Sequence, residues 1–179
     1  MKDKEIEIKN FVHALANIYT LQFDVFRDVK LDGMPLAFLA HYHRRDERYM
    51  ITKKIKVYGV ENRQVIFATT TKDKITEAYI QNFREKIEKH MHHYTIEHQE
   101  HMSTIVIGMI ITNAEIDPKV VKEVNRFRKI KFLKFGLHGW AEFYLAIIQP
   151  HDKNIIVHSK GRPFVSSIEK FFLERNVLQ

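Results

Sequence analysis

The 179 residues include no cysteine. That excludes disulfides, zinc–thiolate fingers, iron–sulfur clusters and thiol catalysis, and it fits a reducing, cytoplasmic setting. Proline and glycine are scarce, at four and six residues, too few for long linkers or disordered tracts. The longest apolar run, residues 105–111 counting Gly108, is far shorter than a bilayer-spanning helix requires. The stretch MKDKEIEIKN at the N-terminus lacks the apolar core of a secretory signal. No Walker loop, dinucleotide fingerprint or nucleophile elbow is present. No internal repeat or low-complexity tract stands out either.

What remains is an ordinary globular composition, 45% hydrophobic and 28% charged, in a chain long enough to bury a core without covalent staples. One domain over residues 1–179 is expected, with residues 1–20 as a peripheral helix. The net charge of +7 is unevenly spread. Residues 118–134 hold Lys119, Lys122, Arg126, Arg128, Lys129, Lys131 and Lys134 against Glu123 alone. A local excess of this kind points to an anionic partner more directly than a high overall pI does.

Hydrophobic periodicity gives the elements. Residues 3–20 read as a helix with Ile8, Phe11, Val12, Leu15, Ala16 and Tyr19 on one side. Alternating apolar residues around Leu31-Asp32-Gly33-Met34 read as one hairpin, and those around Glu61-Asn62 as a second. Together these predict a four-strand antiparallel meander. Residues 73–91 form a second helix, and STIVIGMIITN a strand apolar on both faces and therefore central. Asp117-Pro118 starts a third helix whose buried stripe is Val120, Val121, Val124, Phe127 and Ile130. GWAEFYLAIIQP is another buried strand, NIIVHS pairs with it through a turn at 151–153, and residues 166–175 close the chain as a helix. Strand–helix–strand over 103–149 predicts a crossover with parallel strands. The expected fold is α+β: an antiparallel four-strand meander followed by a β-α-β unit, in a single mixed sheet with helices packed on it.

The segments YMITKKIKVYGVEN, EHMSTIVIGMIITN and FGLHGWAEFYL resemble a family of small prokaryotic proteins, common in clostridia, known only as a domain of unknown function. The likeness runs from about Phe23 to Lys160. It implies a single domain and brings no activity, catalytic residue or cofactor with it. The element order is also similar to the restriction-endonuclease-like nuclease core, by analogy of topology only. Such nucleases hold a metal with an acidic residue and an Asp/Glu-x-Lys on the next strand. The one Asp-x-Lys in a predicted strand is Asp28-Val29-Lys30, which runs into a turn, and Phe67-Ala68-Thr69-Thr70-Thr71 carries no acid.

Three groups of residues could carry function. Five of the 11 histidines fall in EKHMHHYTIEHQEHM. His90/His93 and His98/His101 are each three apart, a helical spacing that places two imidazoles on one face for Zn²⁺ or Ni²⁺. With parallel, adjacent strands starting near 103 and 139, His98 and His101 would approach His138 and Glu142, a set able to hold a divalent metal or perform acid–base chemistry. The plain alternative is a polar connection whose histidines face water, with Gly136 and Gly139 serving a turn. Second, Lys119, Lys122, Arg126 and Lys129 fall on one stripe of the third helix, suited to tracking phosphates. No aromatics are interleaved for base stacking, and a solvated helix face is the alternative. Third, Asp24, Arg27 and Asp28 could meet Arg44, Arg45, Asp46, Glu47 and Arg48, as a Mg²⁺ site or as surface ion pairs.

The leading expectation is a non-catalytic domain that binds an anionic ligand, plausibly nucleic acid, through the basic helix, with no membrane partner. A metal-dependent, hydrolase-like enzyme built on the histidines is the second. The third is a homodimeric interaction module using apolar residues of the first helix.

Overall fold

The computed structural model describes residues 2–49, 56–94, 101–132, 134–137 and 139–177, with side chains at all of these except 2–4, 43–49, 56–62, 101–102, 134 and 175–177. The first helix, α1 (Lys2–Tyr19), is followed by β1 (Asp24–Phe26) and a small hairpin of β2 (Lys30–Leu31) and β3 (Met34–Pro35). Two long strands come next, β4 (Phe38–Tyr49) and β5 (Lys56–Thr70). Helix α2 (Glu77–His90) leads to β6 (His101–Ile111), and α3 (Pro118–Arg126) to β7 (Arg128–Phe132). The chain ends with β8 (Trp140–Gln149), β9 (Asn154–Val157) and α4 (Ser166–Val177).

Among the described residues seven strands make one mixed sheet in the order β1-β4-β5-β6-β8-β7, with β9 beside the far half of β8. Pairing is antiparallel from β1 to β5 and parallel across β5, β6 and β8. The α+β class, the mixed sheet and the parallel β6–β8 pair match the sequence-based expectation. Successive strand residues point to opposite faces, and here both faces are buried. Tyr144, Ala146 and Ile148 of β8 lie with Ile107, Met109 and Ile111 of β6 under Phe11, Leu15 and Ala16 of α1 and Ile168 and Phe172 of α4. Phe143, Leu145 and Ile147 lie with Val106 and Ile110 under Ile80, Phe83 and Ile87 of α2 and Val120 and Val124 of α3. The result is a three-layer α–β–α stack. At Gly108 a Cβ would stand 2.7 Å from the Ile87 side chain, so the missing side chain is what lets α2 lie close over β6.

Several sequence expectations need correction. The predicted turn at Glu61-Asn62 lies inside β5, where Glu61 pairs with Arg45 and Asn62 with Arg44. The two-residue turns that suit a hairpin need φ > 0 at the first central position, which Glu61 does not favour. The residues between β4 and β5, 50–55, lie outside the described residues. Among the described residues the antiparallel meander of the main sheet is formed by three strands, β1, β4 and β5. The Asp32-Gly33 turn does form, with φ of 45° and 79°, but it joins the separate β2–β3 pair. That hairpin docks on α2: Lys86 Nζ donates to the Asp32 carbonyl at 2.7 Å, Lys89 reaches its carboxylate at 3.2 Å, and His90 Nε2 lies 2.8 Å from Oδ1. The third helix stops at Arg126, and residues 128–132 alternate as an edge strand antiparallel to β8. The first helix is mostly committed to the core: Phe11, Leu15 and Ala16 are fully buried, while Ile6 is 54% exposed.

The structure also reveals a local likeness that the sequence does not display as a repeat. Leaving β5, the Thr71 hydroxyl accepts from Asp73 N–H at 3.1 Å; leaving β6, the Thr112 hydroxyl accepts from Ala114 N–H at 2.9 Å. Ile75 and Ile116 follow at the same spacing and pair as a parallel bridge. Thr76 then caps α2 and Asp117 caps α3. The two strand-to-helix passages lie side by side and share one construction.

Candidate functional site

The densest positive charge sits on α3 and β7. Val120 and Val124 anchor α3 in the core. That orientation leaves Lys119, Lys122 and Arg126 exposed on the outer side, along about 10 Å of helix at 1.5 Å per residue. Lys129 does not extend this stripe. As the second residue of β7 it binds Glu88 of α2 at 2.8 Å. Glu88 also lies 3.7 Å from Arg84, and Arg84 reaches Glu123 of α3 at 3.4 Å. Arg84 stands 5.4 Å above the Phe127 ring, in cation–π range. This chain of charges ties α2, α3 and β7 together. Among the described residues, Lys119, Lys122, Arg126 and the exposed Lys131 meet no carboxylate, whereas Arg84, Arg128 and Lys129 each do.

Arg128 pairs through its Nε and Nη2 with Glu142 Oε2, each at 3.0 Å. Register explains the meeting: Arg128 lies opposite Tyr144 and Ile130 opposite Glu142, so all four side chains stand on one face. Trp140 Nε1 donates to Glu142 Oε1 at 2.8 Å, and the Tyr144 hydroxyl donates to Oε2. Burial acts to raise the Glu142 carboxyl, but the donors Tyr144, Arg128 and Trp140 outweigh it and hold the group below its ordinary range. Burial and the bond to Glu142 push the Tyr144 phenol up to about 12. Glu142 is thus already served by one cation and two neutral donors. The sequence signal for this cluster is period two, Trp140-x-Glu142-x-Tyr144 opposite Arg128; it becomes readable once 128–132 is known to be a strand.

The histidines are only partly placed. His98 and His138 lie outside the described residues, as does the side chain of His101. Ile105, not His101, is the β6 partner of Glu142. The backbone levels of His101 and Glu142 therefore differ by about 13 Å along the strands. His90 ends α2 against Asp32, and its ring stacks on His93 at 5.7 Å. The Asp32 carboxyl is held below its usual range by its hydrogen bonds to His90 and then Lys89. Among the described residues no group of three histidine or carboxylate side chains is placed to share a metal ion. Of the third group, Arg27 donates to Asn17 at 2.8 Å. Asp28 turns the chain at φ 59°, so Asp28 and Val29 fall between β1 and β2 and only Lys30 of Asp28-Val29-Lys30 lies in a strand. The side chains of Arg44, Arg45, Asp46, Glu47 and Arg48 are outside the described set.

Fold and site together define a three-layer α+β protein with a paired core of charge at one sheet edge and beside it a basic face that is unpaired among the described residues. The chain belongs to the family described as a domain of unknown function, DUF8052, whose model matches residues 7–170. That span reaches from α1 into α4 and includes every strand. No curated protein matches the chain. No solved structure matches it. Among the described residues no helix is long and apolar enough to cross a membrane.

Proposed function

We propose that this chain is a polyanion-binding module, with nucleic acid as the partner class, and that α3 with Lys131 of β7 is its contact surface. One observation carries the reading. In a region where Arg84, Arg128 and Lys129 are each satisfied by a carboxylate, Lys119, Lys122, Arg126 and Lys131 are not, among the described residues. Lys122 and Arg126 are four apart, and like charges at that spacing repel on a helix. A phosphate backbone laid along α3 relieves that repulsion and releases counterions.

The chemistry is that of backbone contact. Phe127 is half-buried, packed at 5.0 Å against Phe143 and covered by Arg84, so it offers no platform for stacking a base. Binding is therefore expected to be insensitive to sequence and to weaken steeply with salt. Four cations set a limiting slope of about −4 for log K against log salt. The test is the triple variant Lys119→Glu, Lys122→Glu, Arg126→Glu, titrated against a labelled 20-base-pair duplex. Loss of binding with an unchanged circular dichroism spectrum supports the proposal, and binding at the wild-type level refutes it.

A further inference from the structure

The first helix is built in two unlike halves. Phe11, Leu15 and Ala16 are fully buried against the sheet. Toward its start, Ile6 is 54% exposed, and Ile8 and Val12 are only partly covered. Those three line a cleft of about 690 Å³ between α1 and the sheet edge where β5 and β6 end. The opposite wall is Ala37, Thr70 to Lys72, Asn113 and Ala114. The volume lies within the range that accommodates small ligands. The position, outside the carboxyl ends of two parallel strands, is where open α/β sheets bind them.

The wall's chemistry narrows the occupant. Lys9 projects from α1 into the lining and meets no acidic group among the described residues. Lys72, on the passage leaving β5, binds the Glu5 carboxylate at 2.8 Å. Asn113 is fixed in place: its amide donates to Glu7 at 3.0 Å, and its oxygen accepts from His151 N–H at 3.0 Å. The lining therefore carries one positive charge in excess, beside an apolar strip of Ile6, Ile8, Val12 and Ala37. The Glu5–Lys72 pair shows that a carboxylate already sits well at this rim. We infer that the cleft binds a small amphipathic monocarboxylate, its apolar body along the start of α1 and its head group on Lys9, within reach of Lys72. No residue of α3 lines the cleft, so the site is separate from the basic face.

The experiment is titration of the full chain with octanoate, followed by amide chemical shifts and by isothermal calorimetry, with octan-1-ol as the uncharged comparison. Ile6 and Lys9 are exposed, so the variant Ile6→Glu, Lys9→Glu keeps the core intact. The expected result is saturable one-to-one binding of octanoate. Its shifts should concentrate on residues 5–12, 70–72 and 113–114, and affinity should fall at least tenfold in the variant. The triple α3 variant should bind octanoate as the wild type does. Absence of saturable binding, shifts centred on α3 and β7, or unchanged affinity in the Ile6→Glu, Lys9→Glu variant would overturn the assignment. Equal binding of octan-1-ol would overturn the carboxylate head group.

Discussion

Glu142 shows how one side chain can decide what a stretch of basic residues is for. Its carboxylate takes Arg128 out of the pool of available cations and fixes β7 to β8 on the face that also holds Trp140 and Tyr144. Because its folded-state pKa is depressed, its contribution to stability is present above the unfolded value, near 4.3 for a glutamate. That contribution is lost as pH falls through the lower folded value. The Glu142→Gln protein should therefore be less stable than wild type at pH 7, with the gap in urea midpoint closing as pH falls below the ordinary glutamate range. A gap independent of pH would show that charge at Glu142 contributes nothing. A second residue acts on the same cluster from behind. A Cβ at Gly161 would come 2.8 Å from two carbons of the Tyr144 ring. Gly161→Ala should cost about 1–3 kcal/mol by overpacking, measured by chemical denaturation.

At the scale of elements, the two strand-to-helix passages carry much of the architecture. Asp117 caps α3 by accepting from Lys119 N–H at 2.9 Å, ahead of Pro118 in the first turn. Asp117→Ala should lower stability by about 1 kcal/mol, again by denaturant titration. Much of this level is legible in the sequence, because its signals are local. The Asp-Pro start, the Asp-Gly turn, the doubly apolar strand at β6 and the β8–β9 turn all appear where pattern and turn chemistry place them. What is not legible depends on partners distant in sequence. Arg128-Lys129-Ile130-Lys131-Phe132 continues a helical stripe as well as it alternates as a strand. The choice is made by β8, which offers Glu142 to Arg128, and by α2, which offers Glu88 to Lys129. Glu61-Asn62 reads as a turn until β4 and β6 pair with it on both sides. This difference is testable at one position. Lys129→Ala should leave polyanion affinity within about twofold, whereas Lys122→Ala, which loses no carboxylate partner among the described residues, should weaken it and reduce the salt slope by about one.

The whole molecule buries both faces of one sheet, with α1 and α4 on one side and α2 and α3 on the other. Its net charge of +7 is not displayed evenly. Ion pairs consume it at the junction of α2, α3 and β7 and, among the described residues, leave Lys119, Lys122 and Arg126 of α3 without a carboxylate. The proposed polyanion binding depends on that distinction between paired and unpaired charge. The most direct test is duplex affinity across a salt series, by fluorescence anisotropy, for wild type, the Lys119→Glu, Lys122→Glu, Arg126→Glu variant and Lys129→Glu. Salt-dependent binding that the triple variant loses and Lys129→Glu largely keeps is the predicted result. Binding that is absent in the wild type, or that survives reversal of all three α3 cations, would contradict it.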